Sequence, residues 1–172
     1  MKLIRFAALM FLSVGSVHAQ LPASSPAAFK ASLVKFQKQS ADWQAALANV
    51  KVEELPVVYG EGKVIDQTKD VTLGNLQLAS KLAARILRSP SLNDEINWLV
   101  TIQELSHGIQ DVSTLLLNTS VTDNGSLKKV GDWAKALSDL STGPVNTLYV
   151  DSFTYVTSRA SEIEAKNCAP VK

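Results

Sequence analysis

Glu104-Leu105-Ser106-His107, followed one helical turn later by Asp111, brings two carboxylates and an imidazole onto one short stretch. A Glu-x-x-His pair on a bundle helix is half of the set that builds carboxylate-bridged di-metal sites, and these donors suit zinc, iron or manganese. Two features weigh against a site. There is no second Glu-x-x-His, and His107 is the only histidine beyond residue 19. With Glu104 taken as the origin and about 100° per residue, His107 falls near about 300° and Asp111 near about 340°, whereas the apolar stripe of the same stretch centres near about 120°. The triad is therefore expected on a solvated polar face, with a surface metal site as its alternative use.

Cys168 is the sole cysteine, so no internal disulfide can form. An unpaired thiol in an exported chain offers an intermolecular disulfide, and hence a linked dimer, or a reactive group. Reactivity needs a helix N-terminus or neighbouring cations to lower the thiol pKa. Cys168 instead follows a helical segment near the chain end, with Lys166 as its one close cation. An exposed, idle thiol is expected. Trp43, Trp98 and Trp133 form the third set, one on the apolar stripe of each of three helices. Rings so placed pack a core more often than they line a pocket, but together they could hold a planar or apolar ligand.

Other chemistry is missing. The chain has no Gly-x-Ser-x-Gly, His-Glu-x-x-His, Cys-x-x-Cys or Gly-x-Gly-x-x-Gly. Gly60-Glu61-Gly62-Lys63 lacks Walker spacing and reads as a turn. No catalytic residue and no cofactor is assigned.

The elements that must position these groups are helical. Trp98, Ile102, Leu105, Ile109, Val112 and Leu116 step by four and three within Ser91 to Asn118 and share an arc of roughly 80°. Burying six such side chains is worth on the order of 10 kcal/mol before entropy, so this helix needs partners. Phe29, Leu33, Phe36, Ser40, Trp43, Leu47 and Val50 form a matching seam after the Ser25-Pro26 helix start. Leu76, Ala79, Ala83 and Ile86 make another within Thr72 to Arg88, widened by Leu73, Leu78, Leu82 and Leu87. Pro90 ends it and Ser91 caps the central helix, with Asp94 and Glu95 suited to the positive end of its dipole. Val130, Trp133, Leu137 and Leu140 mark a helix over Ser126 to Ser141. Beyond Thr142-Gly143-Pro144, read as a connection, Tyr149, Phe153, Val156, Ala160 and Ile163 mark the last. Val52 to Asp66, with Pro56, Gly60, Gly62 and the pairs Val57-Val58 and Val64-Ile65, reads as a loop or small hairpin. Two Asn-x-Ser/Thr sequons, at Asn118 and Asn124, fall at the loop before the fourth helix.

Residues 1–19 have the pattern of a secretory signal peptide: Lys2 and Arg5, an apolar run, then Val17-His18-Ala19. Removing 19 of 172 residues leaves 153, one domain by length. It also turns 17 basic and 16 acidic residues into 15 and 16, which argues against nucleic acid and anionic membrane surfaces as partners. No segment is apolar for the span a bilayer needs, so no transmembrane segment is expected.

The expectation is an all-α, up-and-down bundle of four to five helices over 29–172, after a lead-in at 20–28, with a hairpin-like insertion near 52–66. Its expected role is that of an exported, periplasmic or extracellular, non-enzymatic binding or structural module for a protein or a small amphiphilic ligand. The alternatives are a carrier of an apolar ligand near Trp43, Trp98 and Trp133, or a metal or redox enzyme using Glu104, His107 and Asp111 or Cys168.

Overall fold

The structure, a computed structural model, describes residues 25–55, 60–119 and 124–168. The expected signal peptide lies outside the described residues, as do 20–24 of the lead-in and the chain end beyond Cys168. The chain is an all-α, up-and-down helical bundle, and among the described residues no strand occurs and no helix is long and apolar enough to cross a membrane.

Helix α1 (Pro26–Ala48) starts where Ser25 predicts: the Ser25 hydroxyl accepts from the Ala28 N–H at 3.1 Å, and proline occupies the first helical position. Residues 26–28, expected in the lead-in, are thus helical. After a 3-10 turn at Val52–Glu54 comes α2 (Glu61–Arg88), which begins eleven residues before Thr72. Val64 and Ile65, expected in a loop or small hairpin, lie in its first turns, whereas Pro56, Val57 and Val58 of that expected insertion lie outside the described residues. Gly60 takes φ +95° at the N-cap, a conformation glycine adopts without steric cost, and Ile65 is buried, which draws the following turns onto the core. Helix α3 (Leu92–Asn118) is capped by Ser91, whose hydroxyl accepts from the Asp94 N–H at 3.1 Å.

The expected connection at Thr142-Gly143-Pro144 is not a loop. Between α4 (Asn124–Leu140) and α5 (Asn146–Asn167) the chain makes a π-helical turn, Ser141–Val145, and Leu140, Val145 and Asn146 all keep right-handed helical angles. Pro144, which has no N–H to donate, is accommodated inside that wider turn. Among the described residues the bundle therefore consists of four rods: α1, α2, α3 and the continuous α4–α5.

Contacts between rods pair rising with falling residue numbers, so neighbours in sequence run antiparallel. Between α2 and α3, Arg85 bonds Asp94 at 2.7 Å and Thr72 faces Gly108. Between α3 and α4–α5, the Ser113 hydroxyl donates to the Ala134 carbonyl, the Ser141 hydroxyl to the Ser106 carbonyl, and the Trp98 indole to the Ser152 hydroxyl. Between α1 and α5, the Ser32 hydroxyl donates to Asp151 and Phe29 stacks on Tyr155 with ring centroids 4.2 Å apart. Helix α3 sits centrally, packed by α2, α4 and α5, and all six residues of its predicted seam are buried.

Three seams need correction. Leu78 of α2 is 46% exposed, while Leu82 supplies the burial. On α4, Ala134 rather than Trp133 is buried; Trp133 lies half-buried beneath the Lys129 ammonium, 4.9 Å from its ring centre. On α5, the core face is Leu148, Ser152, Tyr155 and Val156, one residue around from the predicted stripe. Ser152 belongs there because it accepts the buried indole N–H of Trp98, a group that is costly to leave unpaired.

The closest approach is between α2 and α3. A Cβ on Gly108 would stand 2.4 Å from Thr72 Oγ1, and β-branched Thr72 is stiff in a helix and bonded to the Thr68 carbonyl. Gly74 and Gly131 face open space. Gly108→Ala should therefore cost about 1 kcal/mol net, as the clash outweighs the gain in helix propensity. Gly74→Ala and Gly131→Ala should each stabilise by about 0.5–1 kcal/mol. In a Thr72→Ala background the Gly108→Ala change should become stabilising, which urea unfolding of the three glycine variants, Thr72→Ala and the double variant measures.

Candidate functional site

Alternation of the rods brings one set of ends together: the start of α1, the end of α2, the start of α3 and the end of α5. There the structure has a pocket of about 460 Å³ lined by residues of all these helices. Pro26 and Phe29 of α1, Ile86 of α2 and Ile163 of α5 supply apolar wall; Glu95, Tyr155 and Arg159 supply polar groups at its base, and Lys30, Ser158, Glu162 and Lys166 complete a largely polar lining. The volume falls within the range of small-molecule sites.

Glu95 is the unusual member. Its side chain is 0% exposed, Arg159 Nη1 donates to its Oε1 at 2.5 Å, and its Oε2 is buried without a hydrogen-bond partner among the described residues. The same Arg159 nitrogen donates to the Tyr155 hydroxyl at 3.0 Å, and Tyr155 is in turn held flat against Phe29. Desolvation pushes the Glu95 carboxyl above the usual carboxylate range, against the lowering effect of Arg159; the nearby Asp94 charge adds to the rise. The hydrogen bond to Tyr155 and the charge of Glu95 move Arg159 further above its usual range, against desolvation. Arg159 itself stays 30% exposed, so its guanidinium connects the buried carboxyl with the pocket. Arg85, 2.7 Å from Asp94, clamps the adjoining helix turn.

The sequence does not single out this constellation, although one signal is present. Glu95 lies three residues before Trp98, so it extends the α3 seam backwards, and a carboxylate on an apolar seam is an anomaly. Its position in the first helical turn offers a simpler reason for an acidic residue, the helix dipole. Arg159 follows Tyr155 by four, and becomes visible only once the core face of α5 is correctly phased.

None of the residues that the sequence does single out lines the pocket. Glu104, His107 and Asp111 are all exposed on α3, and among the described residues no group of three or more His, Cys, Asp or Glu side chains is placed to hold a metal ion. Cys168, the C-cap of α5, is exposed. Trp43 and Trp98 both pack edge-on against Phe36, with centroids at 5.3 and 5.1 Å. Trp43 lines a cleft of only about 30 Å³ between α1 and the π turn, and neither Trp98 nor Trp133 borders it. Trp133 is on α4, associated with Lys129, which also bonds Glu54 at 2.8 Å and holds that carboxylate below its usual range.

Comparison with known protein families, with curated proteins and with solved structures finds no match to this chain.

The buried pair gives a pH signature. Arg159→Met would leave Glu95 buried beside an apolar chain, which should cost about 3 kcal/mol at neutral pH. Because the folded-state pKa of Glu95 is raised and its unfolded value is not, the folded protein binds the extra proton, and stability declines as pH rises out of the usual carboxylate range. The decline should be steeper in Arg159→Met than in the parent and should vanish in Glu95→Gln/Arg159→Met. Thermal unfolding across the acid-to-neutral range measures all three.

Proposed function

We propose that the chain is an exported, non-enzymatic binding protein that takes a small amphiphilic molecule in the pocket at this end of the bundle. One observation carries the reading: a pocket of about 460 Å³ with apolar walls from three rods ends on a buried, charge-paired carboxyl. Such a carboxyl reduces stability relative to an apolar replacement, so its presence beside a pocket points to recognition. Binding is favoured over turnover because the lining residues include no histidine or cysteine, and the unengaged oxygen of Glu95 has no accessible surface from which to exchange a proton with a substrate. Export rests on the leader pattern at residues 1–19.

A neutral naphthylamine dye, whose emission rises in apolar surroundings, provides the test. The protein should enhance its emission with saturation at one dye per chain. Ile163→Trp, which fills the pocket, should weaken dye binding about tenfold or more, whereas Leu117→Ala, an exposed position at the other end of α3, should leave it unchanged. Equal dye binding by Ile163→Trp and the parent would sink the proposal.

A further inference from the structure

Resting on the pocket reading, we infer that the ligand is a free, single-chain amphiphile with an anionic head, a carboxylate by its chemistry, that docks on Arg159 between Lys30 and Lys166. The sign of charge comes from the lining. Three cations, Lys30, Arg159 and Lys166, face two carboxylates, Glu95 and Glu162. Both carboxylates act on Arg159, but Glu95 is already bonded to it and lies below the accessible surface, which leaves Glu162 as the one exposed carboxylate among the three cations.

Helix ends do not reverse that balance. Two N-termini, of α1 and α3, and two C-termini, of α2 and α5, meet at this end, so their partial charges offset and the side chains decide. Nor does Glu95 offer a cationic head a partner. Its Oε1 is taken and its Oε2 is enclosed, whereas Arg159 uses one of its nitrogens for both Glu95 and Tyr155 and remains partly exposed. A planar guanidinium with free donors is the group that pairs a carboxylate in two-point fashion. Burial also disfavours the ionised form of Glu95, which lessens its competition for the same guanidinium. Of the apolar lining, Pro26, Pro90 and Ile163 are accessible to the chain of the ligand, with Phe29 and Ile86, each 1% exposed, packed behind them.

Competition distinguishes the ligand class from the pocket itself. Displacement of the neutral naphthylamine dye is measured with three probes of equal chain length: decanoate, decanol and decyltrimethylammonium. Decanoate is expected to bind about tenfold or more tightly than the other two. Arg159→Gln should bring decanoate down to the affinity of decanol, each referred to that variant's own dye affinity, and Glu95→Gln should tighten decanoate severalfold by freeing the guanidinium. Should Arg159→Gln fail to fold, Lys30→Gln/Lys166→Gln, which changes only exposed side chains, should weaken decanoate severalfold relative to decanol in the same variant. If decanol or the ammonium probe displaces the dye as well as decanoate does, or Glu95→Gln weakens decanoate, the anionic assignment is overturned while the pocket stands. If the dye binds equally to Ile163→Trp, the pocket itself falls.

Discussion

A helix with a continuous apolar stripe is stable only when that stripe is covered along its whole length, and α3 is the helix on which this constraint falls. Trp98, Ile102, Leu105, Ile109, Val112 and Leu116 are all buried, and α2, α4 and α5 supply the cover. One short turn to α2 covers one side. The other side needs a partner as long as α3 itself, and α4 alone, Asn124–Leu140, is too short. Its continuation through the π turn into α5 solves the length problem. Ser106 and Ser113 face Ser141 and Ala134 in even register, seven residues on each rod; beyond the π turn, Trp98 and Glu95 face Ser152 and Arg159, with more chain consumed on the α5 side. The π turn is thus where the rod adjusts its phase to keep covering the same partner.

That shift decides what stands opposite the start of α3. On α5 it brings Ser152 under the Trp98 indole and Arg159 over Glu95, so the buried indole N–H and Glu95 Oε1 each find a partner. The remaining one, Glu95 Oε2, does not. An ionised carboxylate with a single donor in a water-excluded place is held by a balance between desolvation and one guanidinium, and small changes at the pocket mouth act on that balance directly. Tyr155 joins the apolar and polar parts: its ring lies on Phe29 of α1 while its hydroxyl accepts from Arg159.

The sequence makes the α1 and α3 seams legible because large apolar residues recur there at steps of four and three, with little competition from other faces. The last helix is harder. Its core face contains Ser152, chosen for a hydrogen bond to a residue 54 positions away, and its large residues Tyr149 and Phe153 fall beside that face. Periodicity alone follows size and so phases the helix one residue too far around. The start of α2 is obscured for a different reason: Gly60, Gly62 and the β-branched pair Val64-Ile65 all disfavour helix locally, and the burial of Ile65 outweighs them. The site suffers from both difficulties, since it requires the correct phase of α5 and a contact between residues 64 positions apart. The tryptophans and the Glu104, His107 and Asp111 set are conspicuous by residue type, but type does not reveal what lies opposite.

Room for a ligand arises at the end of the bundle for the same reason that the middle has none. Along the seam α3 is covered by α2, α4 and α5, and the tryptophan at its upper limit is buried with its only donor satisfied. Where the rods terminate, Pro26 and Pro90 are exposed and line the pocket. Side chains there diverge and leave the pocket open. The charged pair sits at the boundary between these regions, close enough to the core to be dehydrated and close enough to the pocket for its guanidinium to remain in reach of solvent. A pair deeper along α3 would be sealed from any ligand, and one further out would be screened by water. Glu95, three residues before the first tryptophan of the seam, occupies the position that avoids both.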